Sequence, residues 1–159
     1  MVVEGLREVA ALGQKKGVKI ALEPLNRFET HFLNRADQAL ALADEVGYGC
    51  GIAFDTFHMS LEEPDMFQSI HACGPRIFDF HTGDNNRLAA GDGWLDWPKI
   101  VSVLREVGYV GGLAFESVPP IDRTPLGRFG AAQIQTDLND VLPGQMQFHC
   151  RSRLWSVVG

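Results

Sequence analysis

Cysteine is scarce in this sequence, and its three copies lie far apart. Cys50, Cys73 and Cys150 form no C-x-x-C pair, and their number is odd. This spacing is typical of neither a disulfide framework nor a thiolate zinc site. We therefore expect small, reduced core residues and a cytoplasmic location.

Long apolar runs are also missing. No run approaches the ~20 residues that a membrane span needs, and the N-terminus lacks a basic segment followed by an apolar stretch. The sequence thus predicts a soluble, unsecreted protein with no membrane partner.

Positive charge is in short supply. The 14 Lys and Arg residues are outnumbered by 20 Asp and Glu, for a net charge of -6, and no basic cluster is longer than Lys15–Lys16. Such a surface repels a phosphate backbone, so we expect no nucleic-acid partner. The remaining composition, 45% apolar in 159 residues, fits one globular domain with a sizeable core.

Apolar runs of strand length alternate with helical patterns along the chain. Proline and glycine mark many of the boundaries between them. The predicted strands are 18–22, 51–55, 77–81 and 112–116, and the predicted helices are 4–16, 38–46, 65–72 and 97–107, with 56–60 in a loop. Repeated βα units with nearly continuous apolar strands predict an α/β protein whose parallel sheet is covered on both faces or closed into a barrel.

Each predicted strand leads into a residue that can bind a metal. These residues are Glu23, Asp55, His81 and Glu116, spaced by roughly 30 residues, about one βα unit. One acidic residue after a strand is usually a loop or cap residue. Because parallel strands share one carboxyl edge, however, four such residues in register should meet in a common volume.

Three carboxylates held close together need a counterion, because like charges raise one another's pKa. A divalent metal meets this need. Three carboxylates and one imidazole form a mostly oxygen-rich ligand set, which favours Mn²⁺ or Mg²⁺, with Co²⁺ as a further option.

A site of this kind suits the chelation of adjacent sugar oxygens while carboxylates move protons. We predict that Glu29, His58 and Arg87 contact such a substrate from the loops. Each also has a simpler interpretation. Arg87 would be a loop salt bridge, His58 a packed or capping histidine, and Glu29 a solvated charge.

Five stretches give the chain a family resemblance. They are Leu-Glu-Pro-Leu-Asn-Arg-Phe-Glu29, Phe-Asp-Thr-Phe-His-Met59, His-Thr-Gly-Asp-Asn-Asn-Arg87, Gly-Asp-Gly-Trp-Leu-Asp-Trp97 and Phe-Glu-Ser117. In these stretches the sequence resembles the sugar-phosphate isomerase/epimerase superfamily with the xylose-isomerase-like TIM barrel. The resemblance is closest to ketose 3-epimerases of the D-tagatose and D-psicose (allulose) type.

The resemblance implies a role for each candidate residue. Glu23, Asp55, His81 and Glu116 would bind Mn²⁺ or Co²⁺, and Glu23 and Glu116 would double as the acid/base pair. Glu29, His58 and Arg87 would contact a ketose. The implied reaction is epimerisation at C3, in which one glutamate removes the proton to give an enediolate and the other returns a proton on the opposite face.

The chain matches only the C-terminal four βα units of the eight in that family. We therefore expect residues 1–128 to form half of a TIM barrel, and residues 129–159 to form a tail of unassigned structure. Four units leave sheet edges unpaired. This predicts a homo-oligomer, unless a missing N-terminal half-barrel completes the structure.

Three alternatives remain at this stage. A nuclease of the endonuclease IV kind shares the barrel, but it needs more histidines and a basic DNA-binding face. Another isomerase or dehydratase of the superfamily, of the hydroxypyruvate isomerase or inosose dehydratase type, fits the same ligands. The third alternative is a non-catalytic half-barrel fragment.

Overall fold

A computed structural model describes residues 2–118 of the chain. Its elements are α1 (Val2–Lys16), β1 (Ala21–Leu22), α2 (Ala36–Val46), β2 (Gly51–Asp55), α3 (Thr56–Glu62), α4 (Met66–Cys73), β3 (Ile77–Thr82), α5 (Trp97–Glu106) and β4 (Leu113–Phe115). The short 3₁₀ turn Gly74–Arg76 precedes β3. The predicted tail 129–159 lies outside the described residues.

The strands form one sheet in the order β1-β2-β3-β4, and every neighbouring pair is parallel. This confirms the predicted α/β class with sequential βα units. The register between β2 and β3 shifts between Ile52 and Ala53, which face Ile77 and Asp79. Phe78 is the residue of β3 that has no pairing partner on β2 at this shift. A side chain at Gly51 would clash with the Phe78 ring. Beyond the shift, Asp55 faces His81 directly.

The core lies between the sheet and the helices. The rings of Phe54 and Phe80 meet edge-to-face with centroids 6.5 Å apart, a favourable aromatic geometry. Trp97, at the start of α5, is buried. Cys50 and Cys73 are buried free thiols, in agreement with the expectation of small core residues.

The segment 56–60 is helical, so its prediction as a loop is wrong. Helix α3 begins directly after β2 because the Asp55 side chain caps it: the backbone N–H of Phe57 donates to Asp55 Oδ1 over 2.8 Å. A seven-residue helix is too short to show a clear apolar period. Its buried face includes His58 and Met59.

Capping aspartates begin the two later predicted helices. Asp65 caps α4 and Asp96 caps α5, close to the predicted starts. Helix α2 begins at Ala36, two residues earlier than predicted, and Asp37 lies in its first turn. Among residues 2–118, no helix combines the length and apolarity needed to cross a membrane.

The outer strands are shorter and more exposed than predicted. All five residues of β2 are buried, but β1 comprises only two residues and no residue of β4 is buried. Each outer strand has a sheet partner on one side only. The central strand β2 is therefore fully buried, whereas the outer strands β1 and β4 are only partly covered. Large apolar side chains also remain exposed near these edges, at Val9, Leu12, Val18 and Phe115.

Candidate functional site

Four side chains converge at the carboxyl edge of the sheet. Asp55 ends β2 and His81 lies near the end of β3, while Glu23 and Glu116 directly follow β1 and β4. One ligand atom from each residue lies within 4.8 Å of those of the other three. The sheet register thus brings together the four residues that the sequence predicts to meet.

Burial shapes the charges of two of these carboxylates. The Asp55 side chain is fully buried, and this desolvation raises the pKa of its carboxyl group. Burial also raises the pKa of Glu23, although the nearby His81 opposes the shift. In both residues burial disfavours the charged form of the carboxyl group.

His81 lies between two carboxylates of the cluster. Its Nδ1 is 2.8 Å from Glu116 Oε2 and 3.4 Å from Glu23 Oε1. Burial alone would lower the pKa of His81, but Glu23 and the hydrogen bonds to Glu116 and Asp79 outweigh it and raise the pKa. The imidazole contributes the one nitrogen group of this otherwise carboxylate cluster.

Arg87 reaches the cluster from the loop after β3. Its guanidinium forms ion pairs with both Asp55 and Glu116 and lies 4.6 Å from the ring centroid of Phe57. The backbone at Arg87 has φ of 64°, in the left-handed region that non-glycine residues seldom occupy. Arg87 therefore forms a salt bridge from its loop, as the simpler interpretation of this residue predicts. This salt bridge lies within the carboxylate cluster.

His58 and Glu29 lie beside the cluster. His58 is buried, its Nε2 is 3.7 Å from Asp55 Oδ2, and its Nδ1 accepts from the backbone N–H of Asn26 over 3.2 Å. Burial lowers the pKa of His58. Glu29 is half-exposed and lies 4.0 Å from His58 Nδ1, and Asn26 Nδ2 donates to its Oε1 over 2.9 Å. Arg87 and His58 thus lie beside Asp55, and Glu29 lies next to His58.

Sequence reasoning missed two buried polar residues that hold this arrangement. Asn26 connects the loop that carries Glu29 to His58 on α3. Thr56 Oγ1 donates to the carbonyl of Gly83 over 2.6 Å, which ties the start of α3 to the loop after β3. Both residues lie within the short stretches that carry the predicted site residues, and that proximity is the one signal for them in the sequence.

Asp84 is the third missed residue, and it organises the loop after β3. Its carboxylate accepts from Trp97 Nε1 over 2.7 Å and from the backbone N–H groups of Asn85, Gly91 and Leu95. Burial alone would raise its pKa, but these hydrogen bonds prevail and lower it. Its backbone carbonyl accepts from the N–H of Arg87 over 2.8 Å. The predicted site loop is thus built around a buried, ionised aspartate.

The chemistry of the four-residue cluster fits a single divalent cation. Three carboxylates and one imidazole provide hard oxygen donors with one nitrogen, the set preferred by Mn²⁺, Mg²⁺ or Co²⁺. Among the described residues, this cluster contains a single histidine and no cysteine. It therefore does not fit the histidine-rich, multi-zinc cluster of an endonuclease IV type of site.

Comparison with known proteins agrees with this geometry. The profile of the family described as "Xylose isomerase-like TIM barrel" matches residues 1–131. The chain is 37% identical to D-psicose 3-epimerase of Agrobacterium fabrum (strain C58) over 115 residues, which cover 72% of this chain and 40% of that protein. It is also 31% identical over 117 residues to 3-dehydro-D-guloside 4-epimerase of Escherichia coli (strain K12), covering 73% of this chain and 45% of that protein.

The solved structures include a D-psicose 3-epimerase determined in the presence of D-fructose. It has a TM-score of 0.70 and 37% sequence identity, and the match covers 73% of this chain and 40% of that one. The chain thus spans about 40% of the length of the first relatives it matches.

Proposed function

Since the chain belongs to the xylose isomerase-like TIM barrel family, we propose that it carries the site of a metal-dependent ketose 3-epimerase. The observation that carries this proposal is the convergence of Glu23, Asp55, His81 and Glu116 at one edge of the sheet. Similarity to a D-psicose 3-epimerase supports the substrate class and the position of the reaction.

In this proposal the four converging residues hold one divalent cation, with Mn²⁺ as the expected ion and Co²⁺ or Mg²⁺ as the alternatives. When bound, the cation supplies Lewis acidity that polarises a carbonyl and acidifies the neighbouring C–H group. The ligand carboxylates then no longer repel one another, because the cation offsets their charge.

Glu23 and Glu116 move the proton. One carboxylate removes the proton at C3 to give an enediolate, and the other returns a proton on the opposite face, so configuration inverts. Glu23 and Glu116 follow the two outermost strands of the sheet, an arrangement compatible with action from two sides.

Glu29, His58 and Arg87 contact the ketose. Burial favours neutral His58, and its Nδ1 accepts from Asn26, so the ring proton lies on Nε2, on the side of Asp55. Arg87 lies beside Asp55 and Glu116, and its guanidinium has further N–H groups that can donate to sugar oxygens.

Turnover is assigned to the assembly in which the barrel is closed. The chain covers about 40% of its relatives' length, so further strands, beyond the four of the described sheet, close the barrel in that assembly. A cytoplasmic location is part of the proposal, and the buried free thiols of Cys50 and Cys73 support it.

Exchange with deuterated water tests the reaction. The Mn²⁺-loaded assembly is incubated with D-psicose or D-tagatose in D₂O, and the sugars are analysed by NMR. We expect epimer formation with deuterium at C3, and a His81→Ala variant as control should give neither. Deuterium at C1 alone would replace the proposal with an aldose–ketose isomerase of the same superfamily. No exchange with these 2-ketoses, together with exchange at C4 of a 3-dehydro sugar, would favour the reaction named for the E. coli relative.

A further inference from the structure

The two ring nitrogens of His81 face different partners. Nδ1 is directed at the cluster, 2.8 Å from Glu116 Oε2 and 3.4 Å from Glu23 Oε1. Nε2 lies 3.3 Å from Oδ2 of Asp79. The imidazole therefore links the cluster to a carboxylate that is not one of its four members.

Strand geometry places the side chain of Asp79 next to that of His81 on one face of the sheet. The two residues are separated by one position on β3, so their side chains share a face of the sheet. The register shift next to Phe78 sets Asp79 opposite Ala53, a small residue. Asp79 Oδ1 accepts from the backbone N–H of Phe80 over 2.9 Å. That bond fixes the carboxylate and leaves Oδ2 for the histidine.

We propose that Asp79 is a positioning residue for the metal centre, holding His81 so that Nδ1 presents its lone pair to the cation. This inference rests on the proposed function of the cluster. A neutral imidazole carries one N–H. A carboxylate at Nε2 keeps the proton there, fixes the ring orientation and makes Nδ1 a stronger donor.

The side chain of Asp79 is 51% exposed, so core packing does not require an acid at this position. Substitutions there should leave the fold intact. The loss of an outer carboxylate of this kind typically weakens metal binding by about 10- to 100-fold. Asp79→Asn has the same shape and keeps one acceptor oxygen, so its effect should fall between those of aspartate and alanine.

Mn²⁺ titrations of the full chain, followed by the electron paramagnetic resonance signal of free Mn²⁺, test the inference. We expect Asp79→Ala to bind at least about 10-fold more weakly and Asp79→Asn to lie between it and the wild type. Asp44→Ala is the matched control, because Asp44 is an exposed acid paired with Arg76 on another part of the surface, and its Mn²⁺ affinity should not change. Melting curves recorded without metal check that each variant is folded.

A double-mutant cycle separates positioning from simple loss of negative charge. In a His81→Gln background, three carboxylate ligands remain, and Asp79→Ala should cause no further loss of Mn²⁺ affinity. An equal loss in both backgrounds would overturn the inference, since Asp79 would then act through long-range charge. Unchanged affinity of Asp79→Ala in the otherwise wild-type chain would overturn it as well. A wild-type chain that binds no Mn²⁺ would refute the metal centre itself.

Discussion

Arg87 adds positive charge to the carboxylate cluster. Its guanidinium pairs with Asp55 and Glu116 and lies over the ring of Phe57. A divalent ion at the cluster would bind these two carboxylates as well. We therefore expect Arg87 and the metal to compete for Asp55 and Glu116.

Replacing Arg87 by glutamine should have opposite effects without and with metal. Without metal, loss of the guanidinium leaves the buried Asp55 poorly compensated and lowers the free energy of unfolding by about 2 kcal/mol. With Mn²⁺, affinity should rise roughly tenfold, because about 1.4 kcal/mol of relieved competition corresponds to that factor. Thermal melts in chelator and Mn²⁺ titrations measure the two effects. Arg76→Gln, which removes a surface pair with Asp44, is the control and should not change the Mn²⁺ affinity. Weaker Mn²⁺ binding by Arg87→Gln would contradict the competition between Arg87 and the metal.

Asp84 should give the chain an acid-sensitive stability. Its pKa is lowered in the folded state, so its contribution is fully present above the ordinary aspartate pKa of about 4. This contribution is lost as pH falls through the lower, folded-state value. Asp84→Asn should cost about 1–3 kcal/mol at neutral pH, because the donors at Trp97, Gly91 and Leu95 lose a charged acceptor. It should also flatten the decline below pH 4. Denaturant unfolding at several pH values measures both effects, and an undiminished acid decline in Asp84→Asn would contradict this role.

At the scale of elements, strand β2, helix α3 and the site are joined through Asp55. Its Oδ1 caps α3, while its Oδ2 faces Arg87 and His58. His58 itself lies on α3. Asp55 Oδ1, which caps α3, thus helps to fix the orientation of His58, the proposed substrate contact on that helix.

Two substitutions at Asp55 should separate these roles. Asp55→Asn keeps an oxygen that can cap α3 but loses the charged ligand, and Asp55→Ala loses both. Saturating Mn²⁺ at about 100 times its dissociation constant should stabilise the wild type by about 2.7 kcal/mol and neither variant. In the absence of metal, the alanine variant should be less stable than the asparagine variant by about 1 kcal/mol. Calorimetric melts with and without Mn²⁺ measure this, and full Mn²⁺ stabilisation of either variant would rule out Asp55 as a ligand.

The sequence predicts those elements whose bounds are marked by neighbouring residues, such as an apolar run or a capping side chain. The bounds of β2 and the start of α5 follow from apolar runs and a capping aspartate. The convergence of the four site residues follows from the shared edge of parallel strands. Helix α3 was missed because its cap is a residue that also belongs to the site. The ion pairs of Arg87 and the contact between Asp79 and His81 depend on side-chain directions and a register shift, which spacing along the chain does not encode.

For the molecule as a whole, the open edges of the sheet dominate its behaviour. Strands β1 and β4 each lack a second neighbour in the described sheet, and apolar side chains such as Leu12 and Phe115 face solvent near them. Unpaired strand edges favour association, and closure removes them.

We predict that the chain in solution is a dimer or larger, or else a loosely packed species that binds a hydrophobic dye. Light scattering and dye fluorescence measure these properties. Leu12→Glu should reduce association or dye binding, because it places a charge on the exposed apolar face of α1. Gln14→Glu adds the same charge at another exposed position of that helix and should change neither. A compact monomer with a cooperative melt and no dye binding would show that the edges are covered in another way.

The order of the strands divides the proposed site into a fixed pair and an adjustable pair. Asp55 and His81 come from the two central strands, each held by neighbours on both sides, whereas Glu23 and Glu116 follow the outer strands. The separation of Glu23 and Glu116, the proposed proton-transferring groups, thus follows the curvature of the sheet, and curvature is set by what closes it. In the proposed enzyme, a partner that docks on the edges would change this separation while Asp55 and His81 stay in place. Such a partner would alter both the affinity for the ion and the rate of proton transfer.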